Sequence, residues 1–93
     1  MKIDVANGSS GIIDDSPKQI TIALTGKNVA KDYKETTVHI DFMNNGKKIK
    51  DKDKEIKLPN WKGSHAIVDG FPTGFNSIYV KNLGPEKIAI SWG

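Results

Sequence analysis

The sequence predicts an all-β fold: one immunoglobulin-like β-sandwich over residues 1–93, built from about seven short antiparallel strands, with a small β-barrel as the alternative. Three observations predict it. Isoleucine outnumbers leucine twelve to three, and β-branched side chains, stiff at χ1, suit a pleated, half-buried surface better than a helix. Apolar and polar residues alternate in strand-length runs, the period-two pattern of a sheet with one face buried. Turn-forming clusters recur roughly every ten residues, the spacing of a sandwich or barrel.

Taken in order, residues 2–5 form a short first strand and residues 6–11 a Gly/Ser/Asn loop. Ile12-Ile13 stop at Asp14-Asp15-Ser16-Pro17, a turn signal. From Lys18 to Thr25, Ile20, Ile22 and Leu24 point one way and Gln19, Thr21 and Ala23 the other. Residues 26–35 break this alternation, and Val29 and Tyr33, four apart, predict one helical turn. Thr36 to Met43 resumes it with Val38, Ile40 and Phe42 inward and Thr37, His39 and Asp41 outward. Asn44-Asn45-Gly46 then closes a hairpin, because Asn-Gly supplies the positive φ angles of a type I′ turn. Between Lys47 and Leu58 the apolar residues thin to Ile49, Ile56 and Leu58, so Asp51 to Lys54 turns between two charged edge strands that discourage pairing with another chain. Pro59-Asn60 ends the second of these, and Trp61 falls in the connection. Ser64 to Asp69 is a strand, Gly70 to Asn76 a loop holding Phe71 and Phe75, and Ser77 to Leu83 pairs with Lys87 to Trp92 across Leu83-Gly84-Pro85-Glu86 as a final hairpin.

Composition excludes several classes of function. A chain this long buries about 64% of its extended surface, enough for one thin core and not for a deep enclosed cleft besides. Hydrophobic residues make up 37% in separate short runs, none approaching the roughly 20 needed to cross a membrane as a helix. With no cysteine there is no disulfide scaffold and no thiolate chemistry. The net charge is only +3, and all fourteen basic residues are lysine. Arginine dominates bidentate recognition of phosphates and guanine edges, so no nucleic-acid partner is expected. Asn7 to Gly11 interrupts the apolar start of the chain, which leaves no secretion signal in this sequence. This is compatible with a cytoplasmic chain, a mature or excised domain, or exit from the cell by assembly or lysis; the location stays open, with a virion or extracellular surface favoured.

No motif carries catalysis. A nucleophile needs a positioned base, and the bases are His39 and His65. Ser64 precedes His65 directly, but adjacent strand residues point to opposite faces. A zinc site needs three or four ligands at suitable spacing, and two isolated histidines without cysteine do not make one. Asp14-Asp15 reads as an exposed turn rather than a hydrolytic pair or a calcium loop. Gly8 and Gly11 lack the Gly-Lys-Ser/Thr ending of a phosphate loop. The chain is therefore expected to be no enzyme and to carry no cofactor or metal.

Aromatic placement is the most informative surface feature. Parity assigns Phe42 and Trp92 to the core and turns Tyr79 outward; Trp61, Phe71 and Phe75 fall in connections and Tyr33 in the long loop. Exposed aromatics bury large areas on contact with little entropy loss, so Trp61, Phe71, Phe75 and Tyr79 are the candidate binding residues. The expected partner is a protein, a second copy of the chain, or a surface glycan. The first expectation is a structural or adhesive module of a virion or cell-surface assembly. The alternatives are a carbohydrate-binding module using Tyr79 and Trp61, and an enzyme inhibitor inserting the Gly70–Asn76 loop.

Residues 78–92, in which Ile78-Tyr79-Val80-Lys81-Asn82-Leu83-Gly84 runs into Pro85 and returns to Trp92, resemble a hairpin of small β modules in phage virion proteins. The resemblance covers this segment alone. It implies a structural, decorating or adhesive role, with Asn82 and Gly84 as turn residues and no catalytic residues to carry over.

Overall fold

The computed structural model describes residues 1–25, 35–61 and 63–93, so the helical turn expected around Val29 and Tyr33 lies outside the described residues. Among these residues the chain forms nine strands and no helix, and they build two antiparallel sheets. The first sheet runs in the order β1 (Lys2–Val5), β9 (Ile88–Ser91), β3 (Ile20–Leu24), β7 (His65–Val68). The second runs β2 (Ser10–Ile13), β8 (Ser77–Gly84), β4 (Glu35–Asn44), and β5 (Lys47–Lys48) and β6 (Lys54–Pro59) both pair with β4. The expected sandwich is thus formed. Among the described residues the strands form two separate open sheets, so the barrel alternative does not hold, because a barrel closes its sheet on itself.

Alternation assigns the faces. Ile20, Ile22 and Leu24 of β3 are buried between the sheets, with Ile88 and Ile90 beside them, while Thr21 and Ala23 face outward. Opposite them, Val38, Ile40 and Phe42 of β4 and Ile78 and Val80 of β8 are fully buried. Burying one such side chain is worth about 1.5–3 kcal/mol. The Asn45-Gly46 turn joins Asn44 to its partner Lys47, with φ of 51° and 82°, as a two-residue type I′ loop requires. Trp92 is half-buried against the core, and its indole Nε1 donates to Asp15 Oδ2 at 3.1 Å.

The final hairpin expected from the sequence is not formed. β8 pairs with β2 and β4 in the second sheet, whereas β9 pairs with β1 and β3 in the first. The segment between them crosses from one sheet to the other, through a cis peptide at Gly84–Pro85. Residues 6–9 cross beside it, tied by Gly8 N to Asn82 O and Asn82 N to Ser9 O, both 2.9 Å. A two-stranded ribbon therefore folds over the end of the sandwich and supplies strands to both sheets.

Buried polar atoms hold this corner. Asn82 sits at an inward position where alternation calls for an apolar side chain, and its Nδ2 donates to the carbonyls of Val5 (3.1 Å) and Glu86 (2.6 Å). Its Oδ1 accepts from Gly84 N at 2.8 Å. Thr36 Oγ1 donates to Asn60 Oδ1 at 2.8 Å and accepts from Glu86 N at 3.3 Å.

Candidate functional site

The sandwich distributes the four candidate aromatics over three places. Phe71 and Phe75 come together at one end: their centroids lie 4.9 and 5.3 Å from that of Phe42 and 5.8 Å from each other. Tilted and edge-to-face packing of this kind is favourable beyond its area, and it leaves both rings half-buried against the core. Trp61 lies in the turn between β6 and β7, its carbonyl accepting from Ser64 N at 3.1 Å, and is 62% exposed. Tyr79 stands half-exposed on the outer face of the second sheet, between Ile12 on β2 and Asp41 on β4.

Exposed aliphatic residues add to these. Ile67 on β7 is 62% exposed, and Ile12 matches it. β7 pairs only with β3 among the described residues, so its other edge is open. Trp61 and Ile67 thus set two exposed apolar side chains beside a strand edge that is unpaired among the described residues. Sequence reasoning missed Ile67 although the signal was present: with Val68 inward, parity turns Ile67 and His65 outward. Ile12-Ile13 carried the same signal, since one of two adjacent strand residues must face solvent.

The outer face of the second sheet also carries a polar cluster. His39 and Asp41, two apart on β4, point the same way. His39 Nε2 lies 3.5 Å from Asp41 Oδ1 and 3.3 Å from Asp53 Oδ2, and Lys48 Nζ lies 3.4 Å from Asp41 Oδ2. Across the strands, His39 is flanked by Lys81 on β8 and Glu55 on β6. Asp53 arrives through an interruption in the edge: β5 ends at Lys48, Asp51 turns with a φ of 63°, and β6 resumes at Lys54, opposite Ile40. Alternation showed His39 and Asp41 outward; the return of the chain that adds Asp53 has no signature in spacing.

The other histidine stands apart. His65 is exposed, with Nδ1 3.1 Å from the Gly63 carbonyl, while Ser64 before it is buried, so the two side chains do not form a nucleophile and base. Asp14 and Asp15 are exposed, and Asp15 Oδ1 accepts from Ser16 N at 2.8 Å, as a turn residue does. A depression of about 250 Å³ on the first sheet is lined by Met1, Gln19, Thr21, Ser91, Trp92 and Gly93. It is smaller than the roughly 300–1,000 Å³ of small-molecule pockets. No helix is long and apolar enough to cross a membrane among the described residues. The chain matches no family model and no curated protein.

Proposed function

We propose that this chain is a non-catalytic β-sandwich module that works by surface contact with a protein, as a structural or adhesive unit of a virion or of an extracellular or cell-surface assembly. The observation that carries the reading is the pair Trp61 and Ile67, two large apolar side chains, each 62% exposed, that lie on and beside a sheet edge with no partner strand among the described residues. Scattered exposed aliphatics are ordinary. A tryptophan and an isoleucine beside open backbone donors and acceptors are different, because one partner strand satisfies both by pairing with the edge and covering the side chains.

The geometry weakens the two rivals as first framed. A sugar platform needs Trp61 and Tyr79 on one plane. Tyr79 is opposite Asp41 on β4, and Pro59, two residues before Trp61, is opposite Glu35. Six residues of strand separate those positions by about 20 Å. An inhibitor loop needs free side chains, and the Phe71 and Phe75 rings are engaged with Phe42.

Light scattering across a concentration series tests the reading, with Trp61→Ser/Ile67→Lys beside the wild type. Self-association of the wild type, lost in the double variant while circular dichroism stays unchanged, supports it with a second copy as partner. A strictly monomeric wild type that also fails to bind the particle or cell surface of its source overturns it.

A further inference from the structure

We propose that His39, Asp41 and Asp53 form a surface site for a divalent cation of the zinc class, with a position left open to solvent. Three observations support it. The first is donor type: one imidazole nitrogen and two carboxylate oxygens lie within 4.8 Å of one another. Imidazole suits zinc and its neighbours, whereas magnesium and calcium take oxygen ligands.

The second is spacing. Ligand bonds of about 2.0–2.1 Å to tetrahedral zinc place the ligand atoms about 3.3–3.4 Å apart. Nε2 of His39 stands 3.5 Å from Asp41 Oδ1 and 3.3 Å from Asp53 Oδ2, close to two edges of such a tetrahedron. Closing the third edge takes a small movement of Asp53, whose side chain is half exposed on the turn before β6.

The third is Asp41 itself. Its side chain is nine-tenths buried, and its ion-pair partners among the described residues, Lys48 Nζ and His39 Nε2, stand at 3.4 and 3.5 Å. Charge-assisted hydrogen bonds are about 2.7–2.9 Å long. Both contacts are longer than that, and a divalent cation seated between Asp41 and His39 would hold this largely buried carboxylate more closely than they do. Lys48, on the other oxygen of Asp41, is the built-in competitor.

Isothermal titration of the whole chain with zinc chloride tests the site. The expected result is one zinc per chain, weakened at least about 100-fold in His39→Ala, since removing even outer partners of metal ligands costs 10–100-fold. His65→Ala leaves binding unchanged. Lys48→Met tightens it about tenfold at low salt, by removing a positive charge a few ångströms from the ion. A readout independent of any variant is the imidazole ¹⁵N spectrum, in which zinc moves the Nε2 resonance of His39 and not the ring of His65. Absence of zinc binding in the wild type, binding that survives His39→Ala, or a perturbation at His65 instead overturns the proposal.

Discussion

Asn82 decides more of this fold than its polarity suggests. Its amide, fully buried, joins three backbone groups from both sides of the sheet-to-sheet corner: the Val5 carbonyl on β1, the Glu86 carbonyl ahead of β9, and the Gly84 amide. Removing a partner from a buried backbone group costs about 1–3 kcal/mol each. Asn82→Ala is therefore expected to destabilise the chain by about 3 kcal/mol, lowering Tm by about 15 °C. Asn82→Asp separates hydrogen bonding from volume. It keeps the shape but sets an oxygen against two carbonyls, so it is expected to unfold at a lower temperature than Asn82→Ala. Thermal melts that rank Asn82→Asp as the milder variant would show that the side chain merely fills space. Gly84 is equally restricted: its φ is +87°, and a Cβ there meets the side chain of Asn7.

At the scale of elements, β4 organises the second sheet, and Phe42 ties it to the loop that closes one end. Phe42 is fully buried and touches both loop phenylalanines, which are half-buried. Phe42→Ala is expected to cost about 3–5 kcal/mol, and Phe71→Ala less than half of that, because part of its ring already meets water. Urea titrations giving equal losses would place the Phe71 ring in the core. How much of this was legible follows from what alternation encodes. Period two states which face a residue occupies, and β3, β4 and β8 obeyed it; the Asn45-Gly46 turn was legible from its φ requirement. Alternation does not name a strand's neighbour. Ile88 and Ile90 are as apolar as a hairpin partner of β8 needs, yet they pair with β1 and β3, since the Asn82 network bends the connection across the sandwich. The candidate surfaces divide likewise: Trp61 and Tyr79 stood out by residue type, whereas Asp53 joins His39 only because the edge strand breaks and returns.

For the molecule as a whole, the pairing scheme joins the distant parts of the chain. The Met1 amino group donates to the Trp92 carbonyl, 91 positions away, at 2.8 Å, and β1 and β9 continue that pairing from Lys2–Ser91 to Val5–Ile88. By contrast, β4 meets β5 and β6 through short turns. Closing a loop of about 90 residues costs about 2 kcal/mol more than closing one of about ten. That entropy must be lost before β1 gains any contact, so β4, β6 and β8 are expected to organise first and β1 to dock last. Sandwiches dominated by such distant pairings fold in milliseconds to seconds. The order of events is visible in how a loss of stability divides between rates. Ile40→Val, in the fully buried centre of β4, is expected to slow folding. Val5→Ala, at the end of β1, is expected to leave the folding rate nearly unchanged and to speed unfolding by almost the full change in stability. Stopped-flow chevrons of the two variants decide the matter. If Val5→Ala slowed folding as much as it lowered stability, the pairing of the chain ends would belong to the nucleus, and the local β4 hairpin could not be what seeds the fold.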